Sequence, residues 1–199
     1  MLHQNPPAAH RRPPRPIIYK GAIVAPENVL MDDLPATCTA ASAITASCKG
    51  LIDIDPAGER SNSEAGTWSG GGLALAHSKG GSTLQGGLAT TKLQRFSRLT
   101  VNASPEPVKK GKSDTVTGLL SCANWDTGKY ADHTAQTVQL QFRRKGSDTY
   151  PTLTTVKSDS QGNLKTTTTA TVDGYFRYNF AGISTTPAVK ATGDHVDVK

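Results

Sequence analysis

The chain has 199 residues, of which 36% are hydrophobic, with 19 glycines, 12 prolines and a formal net charge of +6. That length admits one large domain or two small ones, and so many turn formers argue for short strands or disorder against a helical bundle. Nine basic residues stand against seven acidic ones up to position 96 and thirteen against nine beyond it, which leaves neither half with the concentrated basic stripe that makes nucleic acid a natural partner.

Residues 1–94 are poor in pattern. Met1–Pro16 is rich in Pro, His and Arg and reads as disordered. His10-Arg11-Arg12 is followed by prolines and not by an apolar core, so no signal peptide is evident, and no stretch approaches the roughly 18 to 20 apolar residues of a membrane helix. Short apolar pieces, Ile17-Ile18-Tyr19 and Ala22-Ile23-Val24, repeat with neither a strand nor a helix period. Thr39–Ser47 reads as a short helix or a tether. Gly70-Gly71-Gly72, Gly80-Gly81 and Gly86-Gly87 make 65–87 a linker, with marginal strands at Gly72–His77 and Ala89–Phe96.

From Arg95 the sequence alternates. Leu99 and Val101 mark a first strand, ended by Pro105 and Pro107, and Thr115–Ser121 a second. Val138, Leu140 and Phe142 alternate with Gln139, Gln141 and Arg143, giving the clearest half-buried strand, expected to pair with 115–121. Thr149–Lys157, the Thr-rich 164–172 and Tyr175–Phe180 follow, separated by Ser158–Asn163 and Asp173-Gly174 turns. Ala188–Ala191 and His195–Lys199 close the set. About seven strands so spaced predict an all-β, immunoglobulin-like antiparallel β-sandwich over 95–199, preceded by a largely disordered or irregular 1–94. Its core is expected from Leu99, Val101, Val116, Leu120, Trp125, Val138, Leu140, Phe142, Leu164, Phe176, Tyr178, Phe180, Val196 and Val198.

Chemistry-bearing residues are scattered. Cys38, Cys48 and Cys122 are too few for a zinc site or a disulfide-dense scaffold. A Cys38–Cys48 loop fits an exported chain and leaves Cys122 unpaired, but three buried or idle thiols are the expectation. Asp194 and His195, neighbours on a strand, point to opposite faces and make no catalytic pair. His133 and His195 are read as exposed loop or edge residues, and no serine sits in a nucleophile elbow. Asp159–Asn163 offers one carboxylate, far short of a calcium loop. The reading is therefore a non-enzyme with no cofactor and no metal ligand. Arg143-Arg144-Lys145 and Lys109-Lys110-Gly111-Lys112, each beside a turn, read as solvated faces. Trp125, Tyr130 and Arg143 are the candidate partner-binding residues, competing with a reading in which Trp125 plugs one end of the sandwich.

The segments "FSRLTVNASPEPVKKGK", "TVTGLLSCANWDTGKYADHTAQTVQLQFRRKGSDTY" and "SDSQGNLKTTTTATVDGYFRYNFAGISTTPAVKATGDHVDVK" resemble an immunoglobulin-type domain of secreted, largely uncharacterised proteins of filamentous actinobacteria. The resemblance covers about half the chain. It implies export and a non-catalytic interaction or structural role, with an unknown protein or cell-wall glycan as partner; the alternative is an accessory domain of, or remnant from, a larger secreted hydrolase or inhibitor. The chain departs from the strand pattern at Asp114, where an apolar residue is expected, at Leu119, where a polar one is, and at Cys122.

Overall fold

A computed structural model of the chain describes residues 13–42, 45–56, 60–75 and 81–199. The chain divides into two compact units, Met1–Asp55 with Thr67–Leu93, and Pro56–Gly66 with Gln94–Lys199.

Among its described residues the first unit holds more regular strands than the one or two marginal ones expected. Strands β1 (Arg15–Ala22), β2 (Ala25–Met31), β5 (Gly66–Leu75) and β6 (Ser82–Leu93) form one sheet in the order β2-β1-β5-β6. A separate hairpin joins β3 (Thr37–Ala40) to β4 (Ala46–Lys49) where a helix or tether was expected. Positions 1–12 of the segment read as disordered, and His77 of the marginal strand, lie outside the described residues. The glycines that looked like a linker are there for closeness. A Cβ at Gly71 would stand 2.6 Å from the Gln85 carbonyl oxygen and 3.1 Å from the Ile17 side chain, and one at Gly86 would strike the Tyr19 hydroxyl. That hydroxyl accepts the Gly87 N–H at 2.9 Å. Ile17, Tyr19, Leu30, Ala36 and Trp68 are buried in this unit, and the Lys20 ammonium lies 5.4 Å from the Trp68 ring centroid.

Cys38 and Cys48, cross-strand partners on β3 and β4, form a disulfide, and Cys122 is free and buried. Three idle thiols is therefore the wrong reading: antiparallel pairing sets the two Cα atoms 4.0 Å apart, within bridging reach.

The second unit is all-β with ten strands rather than about seven, preceded by a 3₁₀ turn at Asn62–Glu64. In one sheet β9 (Ser113–Asn124) is central, pairing with β7 (Ser97–Leu99), β8 (Asn102–Ser104), β10 (Lys129–Asp132) and β13 (Asn163–Thr169). In the other, β11 (Thr137–Arg144) and β14 (Gly174–Phe180) are central, flanked by β12 (Thr152–Lys157), β15 (Val189–Lys190) and β16 (Asp194–Val196). The expected pairing of 115–121 with 138–143 does not form: β9 takes β13, with Val116 opposite Thr166, and β11 takes β12 and β14. The two strands instead face each other across one core.

That core holds Val116 and Leu120 from one sheet, Val138, Leu140, Phe176, Tyr178 and Phe180 from the other, with Leu164 and Val196. Leu99, Val101, Phe142 and Val198 are partly buried against it. Trp125 is not among them; it is half-buried in the turn after β9. The Tyr178 hydroxyl crosses between the layers to donate to the Val116 carbonyl at 2.9 Å, and burial pushes its pKa up to about 12.

Candidate binding face

The register separates the three residues singled out from the sequence. Tyr130 on β10 lies opposite Ala123, near the C-terminal end of β9, and its ring sits 3.7 Å from the Arg98 guanidinium carbon. Trp125 follows in the adjoining turn, where its backbone N–H donates to the Asn62 side chain at 3.0 Å. Arg143 belongs to the other sheet, opposite Tyr175. Phe180, at the far end of β14 from Tyr175, lies edge-on to His133, whose backbone N–H donates to the Leu120 carbonyl. Arg143 therefore stands at the opposite end of the sandwich from Trp125 and Tyr130, and the three make no common patch.

What Arg143 does join is a row on the outer face of its own sheet. Alternation turns Gln139, Gln141 and Arg143 of β11 to the side opposite Val138 and Leu140, with Gln141 itself buried among its neighbours, and Tyr175, Arg177 and Asn179 of β14 likewise face away from the core. The register sets Gln139 against Asn179, Gln141 against Arg177 and Arg143 against Tyr175. Each pair interacts: Asn179 Nδ2 donates to Gln139 Oε1 at 3.0 Å, Arg177 Nε donates to Gln141 Oε1 at 2.9 Å, and the Arg143 guanidinium carbon lies 4.2 Å from the Tyr175 ring centroid. Tyr150, just before β12, sits 3.7 Å from the Arg177 guanidinium carbon and 5.3 Å from that of Arg143. His195 on β16 closes the row, edge-on to Tyr175 at 5.0 Å. Arg143 Nη1 also donates to the Ser147 carbonyl at 2.6 Å, and its hydrogen bond to Tyr150 raises its pKa.

Two tyrosines with two guanidiniums over their rings, beside the half-buried Gln139 and Asn179 amides, form a surface braced from beneath by the buried Gln141. Such a surface offers flat apolar area together with donors and acceptors on rigid strands. Arg177, absent from the sequence-derived set, occupies the same outward alternation as Tyr175; that signal was present, but the β11–β14 register that sets Arg177 beside Tyr150 and Gln141 was not.

His133 is a correction. It is buried, not exposed, with Nε2 3.1 Å from the equally buried Thr186 hydroxyl and its ring edge-on to Phe180 at 5.5 Å. Burial, helped by the Arg95 charge, pulls its pKa down. Asp194 turns inward, accepting the Ala103 N–H at 2.7 Å, while His195 turns outward. Asp114 is fully buried, and neither carboxylate oxygen has a hydrogen-bond partner. Burial raises its pKa, Asp194 adds to the rise, and the nearby Ser104 and Thr115 backbone opposes it.

No family model matches the chain, and no curated protein matches it. Among solved structures it is similar to a chimeric titin Z1Z2-Z1Z2 tandem functionalised with a GRGDS exogenous peptide from fibronectin. The identity is 14%, the alignment covers 94% of this chain and 85% of that one, and the TM-score is 0.34. A likeness that distant carries no argument about fold or function.

Proposed function

We propose that the chain is a non-catalytic extracellular interaction module whose second unit is an immunoglobulin-like sandwich of the actinobacterial kind its sequence resembles. The outer β11–β14 face binds the partner, a cell-wall glycan. The observation that carries this reading is the Tyr150–Arg177–Arg143–Tyr175 row with its flanking Gln139 and Asn179 amides. Aromatic faces stack on the apolar faces of sugar rings, and amides and guanidiniums reach hydroxyls without needing a charged ligand. The Cys38–Cys48 disulfide supports an oxidising, extracellular setting.

The test is co-sedimentation with insoluble cell-wall glycan. The double variant Tyr150→Ala, Tyr175→Ala is expected to lose at least about tenfold in affinity, the scale of an interface anchor, while Trp125→Ala and Tyr130→Ala bind as the parent does. Equal binding by the parent and the double variant, both folded by circular dichroism, defeats the proposal.

A further inference from the structure

The two basic runs that the sequence leaves as separate solvated stretches come to one place. An open cleft of about 450 Å³ is lined by Lys110, Arg144, Lys145, Val198 and Lys199, with Thr171, Val172 and Asp173 completing its wall. Four chain segments far apart in sequence are tied together there by backbone bonds. Lys110 N–H donates to the Lys199 carbonyl at 2.7 Å, Lys199 N–H to Val108 at 2.9 Å, and Lys145 N–H to Asp173 at 3.0 Å. The Lys109–Lys112 turn is closed by Lys112 N–H donating to Lys109 at 3.0 Å, and it is held against Ala170, immediately before Thr171. The backbone positions of the four basic residues are thus fixed by the sheet framework.

Side-chain charge lining the cleft is positive, four cations against the Asp173 carboxylate. Lys145 is 3.9 Å from Asp173 and Lys199 is 3.6 Å from Asp197, both loose, solvent-exposed contacts. Asp173 is committed elsewhere as well, since its Oδ1 accepts the Val198 N–H at 2.9 Å. Among the described residues neither Lys110 nor Arg144 has a carboxylate within ion-pair distance. A planar guanidinium offering paired N–H donors beside several ammonium groups is a combination suited to tetrahedral oxyanions.

We propose that the cleft formed by Lys110, Arg144, Lys145 and Lys199 binds a compact phosphate-bearing anion, one carrying more than one phosphoryl group. Its size falls in the range of small-ligand sites. No aromatic side chain lines it, so it lacks the stacking platform that single-stranded nucleic acid uses. The cleft shares no lining residue with the Tyr150–Tyr175 face.

Isothermal titration of the full chain with tripolyphosphate at low ionic strength tests the proposal, with orthophosphate, acetate and an oligo-dT strand as comparison ligands. Expected are saturable one-site binding of tripolyphosphate that weakens as salt is added, weaker binding of orthophosphate, and none of acetate. The double variant Lys110→Gln, Lys199→Gln should bind roughly tenfold more weakly and show a shallower salt dependence. Arg144→Gln, which touches no ion pair, provides the second variant should the first fold poorly. Absence of saturable tripolyphosphate binding, or binding unchanged in a folded variant, overturns the proposal. Tighter binding of oligo-dT than of tripolyphosphate, lost in the same variants, also overturns it by assigning the cleft to nucleic acid.

Discussion

Asp114 is the residue at which the sequence pattern and the fold collide. Its position on β9 shares the inward face of Val116 and Leu120, so alternation drives a carboxyl group into the core regardless of what it can bond to there. A buried acid with a raised pKa holds its proton more tightly folded than unfolded. The stability it allows is therefore fully present below the ordinary carboxyl value and is lost as pH rises through the folded value. Asp114→Leu is accordingly expected to stabilise the second unit by roughly 1–3 kcal/mol at neutral pH, and by much less near pH 4; urea denaturation at both pH values reads the difference. A variant less stable than the parent at neutral pH would show that Asp114 has a partner after all.

His133 has the opposite sign. Its pKa is lowered in the folded chain, so the stability it contributes is present above its ordinary value of 6.5 and is lost as pH falls below that value. Melting temperature followed from pH 8 to pH 5 should drop, and His133→Gln should flatten the drop. An unchanged slope would mean that the imidazole titrates freely.

At the scale of elements, turns and hairpins give two further expectations. Gly162 occupies a φ of +76° in the turn before β13, and a Cβ there would strike the Leu120 carbonyl oxygen and come within 3.3 Å of the His133 nitrogen. Gly162→Ala should destabilise by more than about 1 kcal/mol, since both conformation and space forbid a side chain. Guanidinium unfolding checks it. The β3–β4 hairpin strands bury no side chain, so only the strand ladder, the turn hydrogen bonds and the Cys38–Cys48 bond close it. Reduction should strip hydrogen-exchange protection from Thr37–Lys49 and leave β1 and β5 protected; loss of protection in all of them would give the disulfide a wider role.

Within the second unit as a whole, a short upstream segment is as much a part as any strand. The Asn62 side chain donates from Nδ2 to Asn124 at 2.8 Å and to the Asp126 carboxylate, and its Oδ1 accepts from Arg95 and from the Trp125 backbone, each at 3.0 Å. The 3₁₀ turn that presents it is fixed by a capping box between Ser61 and Glu64. Asn62→Ala removes all four bonds, and a loss of roughly 1–3 kcal/mol is expected by denaturant titration, together with altered Trp125 fluorescence. Four residues from two distant segments, Arg95 and Asn124–Asp126, gather on this one amide, and no spacing in the sequence announces it.

The sequence by itself determined most strands of the second unit, though not β10, and most of its core, because period-two alternation is local and each of Val116, Leu120, Val138, Leu140, Phe176, Tyr178 and Phe180 needs only its own strand to face inward. It also exposed Asp114 as a residue out of pattern. Only the tertiary structure decided which strands pair, and with that the Arg143–Tyr150–Tyr175–Arg177 row and the meeting of Lys110 with Arg144 and Lys199, since pairing depends on contacts between residues distant in the chain. The first unit was illegible for a related reason. Glycine has no side chain to reveal a period, so strands built for close approach around Tyr19 and Ile17 look the same as a flexible tether until their neighbours are in place.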